Sequence, residues 1–148
     1  MTAPISLQAD HEQILARSRS LAPDAERQWG KMTLPQTLAH CHKPFQVALG
    51  KLELKRGLLG ILLGRYAKKK FILSDAPFGR NSPTDPKFLD VSATDMEHER
   101  AQLIELLQEF VREGASTSVH PFFGPMDASD WDRLMWKHLD HHLRQFSA

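Results

Sequence analysis

Apolar residues recur along the chain at three- and four-residue intervals, the period of a helix with one buried side, and no segment sustains the alternation of a strand. Four segments carry that period. The first runs from about Ser6 to Leu21 with Leu7, Ile14, Leu15 and Leu21 on one side, and Pro23 closes it. The second opens on Thr33-Leu34-Pro35-Gln36, where the Thr33 hydroxyl and the Gln36 amide have the spacing of a capping box, and Pro35 falls in the first turn, where it is tolerated. Its apolar stripe is Leu34, Leu38, Cys41, Phe45, Ala48 and Leu52. The third follows a capping box read at Thr94 and Glu97, carries Leu103, Leu107, Phe110 and Val111, and stops at Gly114. The fourth starts between Asp127 and Asp130 and continues almost to the C-terminus.

Between the second and third helices, Lys55 to Phe71 either extends the second helix or forms a short extra one, and its three glycines weaken either reading. Ser74 to Ala93, rich in Pro, Asp, Ser and Gly, reads as a long loop of the kind that serves as a lid or site wall. The stretch His120-Pro-Phe-Phe-Gly-Pro125 is rigid and apolar for a connection and is expected to pack on the end of the helices. The expectation is an all-α four-helix bundle with a long loop between helices two and three. At 148 residues it forms one domain, 1–148, around one core.

Composition narrows the function. Lys and Arg number 19 against 18 Asp and Glu, so the basic excess expected of a nucleic-acid binder is missing. The single cysteine, Cys41, cannot form a disulfide within the chain. Met1 to Asp10 lacks the pattern of a secretory signal, and the apolar run from Gly57 to Tyr66 is about half of a membrane span. A cytoplasmic protein with neither nucleic-acid nor membrane partner is therefore expected. Arg65 and Lys68-Lys69-Lys70 after the apolar Leu58 to Leu63 have the pattern of a membrane-surface helix, against which the simpler reading is a solvated helix end beside ordinary core.

The histidines change the picture. Of eight, His138 and His142 fall within about 20° of the centre of the last helix's apolar stripe of Trp131, Leu134, Met135 and Phe146, while Asp140 points the other way. Two imidazoles four residues apart are separated by about 6 Å along the helix, the usual helical way of offering two ligands to one ion. Burying them is unfavourable unless each ring finds partners, and a metal takes one nitrogen from each. A third ligand must come from another helix. His40 and His42 both qualify; their angles mildly favour His42, and Pro44 makes the angle at His40 unreliable by bending the helix. Cys41 reads as core, His11, His98 and His141 as surface or flank, and His120 as a support of the site or part of its connection.

Thr33-Leu-Pro-Gln-Thr-Leu-Ala-His-Cys41 and His138-Leu-Asp-His-His142-Leu-Arg-Gln145 resemble the motifs of the DinB/YfiT-like superfamily of metal-binding four-helix bundles. His120-Pro-Phe-Phe-Gly124, with Trp131 and the ending His-His-Leu-Arg-Gln-Phe146, resembles a branch of it with no characterised activity. The resemblance covers nearly the whole chain and implies His40, His138 and His142 as ligands of one divalent ion (zinc, nickel, iron or manganese), with Gln145 matching the Gln that often follows the pair. It also implies a small-molecule substrate, a low-molecular-weight thiol in an S-transferase-like reaction; a homodimer is a separate expectation, with no motif of its own. A non-catalytic metal-binding or stress protein is the alternative. Three nitrogen ligands leave coordination positions open, as in a working site. No nucleophile triad, phosphate loop or carboxylate pair stands out beside them.

Overall fold

A computed structural model describes residues 5–148. The reading of Met1 to Asp10 as free of a signal falls in part on residues 1–4, outside the described residues. The elements in chain order are α1 (Leu7–Ser20), α2 (Leu34–Ala48), α3 (Leu58–Phe71), a 3-10 turn (Pro86–Phe88), α4 (Met96–Glu113), β1 (Val119–His120), β2 (Gly124–Pro125) and α5 (Ala128–Gln145). The protein is mostly helical. Its only strands among the described residues are β1 and β2, an antiparallel pair with His120 opposite Gly124.

Local chemistry sets most of the helix ends. Ser6 caps α1 by accepting from the Ala9 amide. At α2 the expected capping box forms in full: Thr33 accepts from the Gln36 amide, and the Gln36 side chain accepts from Thr33 N–H. The α2 helix continues through Pro44 to Ala48, so Leu52 lies beyond it, half-buried. At α4 the cap is Asp95 rather than Thr94, its carboxylate accepting from the His98 amide. A carboxylate at that position also meets the helix dipole. Gly114, at φ 72°, ends α4. A second full box, Asp127 with Asp130, starts α5.

Helices α1, α2, α4 and α5 share one core, with α2 packed most extensively on α4. Leu7, Ile14, Phe45, Leu107, Trp131 and Met135 lie at its centre, fully buried, and Phe45 meets Phe110 edge to face at 5.5 Å between ring centres. Asp132 of α5 accepts from the first amides of α1, at Leu7 and Gln8, which ties those two helices at one end. Asp140 faces away from the histidine pair, as its angle implies, and binds Arg17 of α1 at 2.9 Å.

The interval between α2 and α4 is more than the long loop expected from Ser74 to Ala93, which holds only the 3-10 turn. It contains α3, a helix separate from α2, and the glycines that argue against a helix are the reason it fits. A Cβ on Gly60 would stand 2.9 Å from the Phe122 carbonyl oxygen, and one on Gly64 only 2.3 Å from it. The helix backbone thus lies directly on the β1–β2 turn, a closeness that side chains would prevent. The rest of the interval is held by cations bonded to its carbonyls: Lys43 to Leu89, Arg133 to Ile72, and Lys137 to Phe71 and Ser74.

Candidate metal centre

Helices α2 and α5 bring His40, His138 and His142 together. Each ring offers one nitrogen, and these nitrogens all lie within 4.8 Å of one another. The Nε2 atoms of His40 and His138 are 2.9 Å apart. The rings meet edge to face, with centres 4.7 to 4.8 Å apart.

Surrounding acceptors set which nitrogen each ring turns inward. His40 Nδ1 lies 2.9 Å from the Phe88 carbonyl oxygen, to which it donates, so the Nε2 lone pair faces the group. His142 Nδ1 donates to Gln145 Oε1 at 2.7 Å with the same result. Gln145 is itself held, its amide donating to the Trp29 carbonyl at 2.9 Å. His138 Nδ1 differs: it is buried without a hydrogen-bond partner among the described residues. Two of the three rings therefore have the outer acceptor that a metal-ligating histidine normally has.

The electrostatics favour neutral rings. Burial lowers the pKa of His40, against the opposing pull of the Phe88 carbonyl, with Lys43 and His141 lowering it further. Burial likewise pushes His138 well below the usual range, helped by His40 and His142. His142 is lowered to about 3, by burial first and by His40 next. In the neutral group, with His40 Nδ1 donating to Phe88, the 2.9 Å contact is closed by His138 Nε2–H donating to His40 Nε2, a place that a cation would take instead. A divalent ion bound at about 2.0–2.1 Å from each nitrogen fits this donor set after small ring movements.

Residues outside the three rings shape the surroundings. His141 contacts His142 at 4.9 Å between ring centres and is flanked by Trp29 and Phe78, and Arg80 stacks on Trp29 at 4.3 Å. The α1–α2 and α3–α4 connections therefore meet over this end of the site. Behind His142 lies a cavity of about 10 Å³ lined by Leu38, Cys41, Leu103, Leu139 and Leu143. It has room for at most one water and cannot house a substrate.

The other expected candidates separate. His42 does not join the group. Its Nε2 lies 2.7 Å from Glu99 of α4 and its Nδ1 meets the Gln46 amide. Cys41 is core, and burial pushes its thiol far above the usual range, so it offers no thiolate. His120 is buried in the β1–β2 turn, where its Nδ1 accepts from the amides of Phe122 and Phe123 while the ring stacks on Phe88. His98 is exposed, and His11 is bound to its neighbour Glu12. Sequence reasoning missed Phe88, whose contribution is a backbone carbonyl and so leaves no trace in residue type. It also missed Trp29 and Arg80, whose only signal was an aromatic residue and a cation in connections.

Fold and site together define a mostly helical protein with a three-histidine group able to hold a metal ion. The chain belongs to the family described as protein of unknown function (DUF1569), whose model matches residues 1–148. No curated protein and no solved structure matches it.

Proposed function

We propose that this is a divalent-metal protein of the DinB/YfiT-like four-helix-bundle type, in which His40, His138 and His142 hold one zinc, nickel, iron or manganese ion. The observation that carries the reading is the convergence of three imidazole nitrogens within 4.8 Å, two of them with their outer N–H already committed to Phe88 and Gln145. Nitrogen-only ligation does not select among those metals. When bound, such an ion with open positions supplies the Lewis acidity that makes a thiol or water nucleophilic at neutral pH. The residues of the chain do the rest: Phe88 and Gln145 orient two rings, and Leu38, Leu139 and Leu143 exclude water from the side behind His142.

The reaction that the family resemblance implies is thiol transfer with a low-molecular-weight thiol. A second reading is a non-catalytic metal-binding or stress protein. Elemental analysis of untagged protein tests the metal itself. About one divalent ion per chain is expected, lost in His40→Ala and His142→Ala; wild-type protein that neither carries nor takes up metal would overturn the proposal. Turnover of a panel of thiols and electrophiles, present in metal-loaded wild type and absent in His142→Ala, separates the enzyme from the binding protein.

A further inference from the structure

Helix α3 is built inside out. Its inner side consists of Gly60, Gly64 and Ala67, all buried, and its large apolar residues face water. Leu58 is 72% exposed, Leu62 70% and Tyr66 68%, with Leu59 and Ile61 also above half. A helix at a protein surface ordinarily buries its leucines and exposes polar residues. The apolar run from Leu58 to Leu63 is therefore not the ordinary core that the sequence suggests, but a contiguous exposed patch of the kind that marks an interaction surface.

Charge identifies the occupant. From Lys55 to Lys70 the chain has six basic residues (Lys55, Arg56, Arg65, Lys68, Lys69 and Lys70) and no Asp or Glu. Lys68 is bound to Asp130 at 2.7 Å, whereas Arg65, Lys69 and Lys70 make no ion pair or hydrogen bond among the described residues. A second copy seated on α3 would bring two such unbalanced sets of cations into one seam, which like-charge repulsion opposes. An anionic lipid surface accepts both halves of the helix, the leucines into the acyl boundary and the cations against headgroups.

We propose that α3 docks the protein on anionic membrane surfaces. No helix of the described residues is long and apolar enough to cross a membrane, so the attachment is peripheral. It is also independent of the metal centre. Lys68 anchors α3 at Asp130, eight residues before His138 on α5, or about 12 Å along the helix axis.

Flotation of the untagged full chain with phosphatidylcholine vesicles, with and without about 30 mol% phosphatidylserine, tests this. Binding to the anionic vesicles is expected at about 0.1 M salt and is expected to be lost near 0.5 M. Leu58→Ser/Leu62→Ser should weaken it at least tenfold. Lys69→Gln and Lys70→Gln should each weaken it roughly fivefold. Both sets alter exposed side chains, so helical content and metal content should match wild type, which separates failure here from failure of the metal reading. Absence of flotation at low salt overturns the proposal, and so does equal binding to uncharged vesicles. A homodimer that the leucine substitutions dissolve, without flotation, overturns it in favour of self-association.

Discussion

At the scale of single residues, the site depends on which imidazole nitrogen carries the proton, and that choice is made outside the rings. Gln145 accepts from His142 and donates to Trp29, so Gln145→Ala frees His142 to rotate and to change tautomer. A loss of about 10- to 100-fold in metal affinity is expected. Competition with a chelator would measure it, and unchanged affinity would show that Gln145 does not orient the ring. His120 is lowered to about 3 by burial, with Arg56 adding to the effect. Its ordinary value is near 6.5. As pH falls below that value the unfolded chain takes up a proton that the folded chain refuses until about pH 3, so stability is lost on acidification across that window. His120→Asn keeps an acceptor for the amides of Phe122 and Phe123 but cannot titrate. The dependence of unfolding free energy on pH between 6 and 4 should become shallower by roughly 1.4 kcal/mol per pH unit, one proton's worth. An equal slope in denaturant melts of the two proteins would place the acid sensitivity elsewhere. The sequence showed that His138 and His142 face inward, because an i, i+4 pair within an apolar stripe has only one orientation. The helical period did not resolve His40 from His42, and only the family resemblance chose His40. Both are buried, and what separates them is Glu99, which takes His42 from a different helix.

The elements that a helical period describes well are those whose partner is another helix. Stripes predicted α1, α2, α4 and α5 nearly to their ends, and capping chemistry located the starts of α2 and α4 to within a residue, with Asp95 in place of Thr94 at α4. The period describes α3 badly because its partner is bare backbone, the Phe122 carbonyl against Gly60 and Gly64. In isolation Gly64→Ala would favour the helix by up to about 1 kcal/mol. Here the added methyl would meet backbone at 2.3 Å, which neither element can easily yield. Overpacking of this kind destabilises by about 1–3 kcal/mol, so a net loss of stability in urea melts is expected, with metal content unchanged. A more stable Gly64→Ala protein would mean that α3 is not held against the β1–β2 turn.

Across the whole molecule, the candidate site draws its parts from segments distant in sequence. His40 comes from α2, His138 and His142 from α5, the carbonyl that orients His40 from the 3-10 turn at Phe88, and the one that holds Gln145 from Trp29. Both connections are tied to the helices partly through these bonds, Trp29 to Gln145 and Phe88 to His40, so part of their order depends on the rings they hold. An ion at the three rings should stabilise all of them together, because it binds the folded chain and not the unfolded one. At a free metal concentration 100 times the dissociation constant the gain is about 2.7 kcal/mol, a rise of several degrees in Tm for a chain of this size. Hydrogen exchange would show where the gain goes. Added metal should slow exchange in α2 and α5 near the rings, and also around Trp29 and Phe88. The amides of α3, whose hold is Lys68 on Asp130 and the β1–β2 turn, should change only as far as global stability changes. In His40→Ala the rise in Tm should vanish and the protection with it. Protection confined to α5 in the wild type would mean that the ion engages only the His138–His142 pair, and that the contact between His40 and Phe88 belongs to packing rather than to the metal.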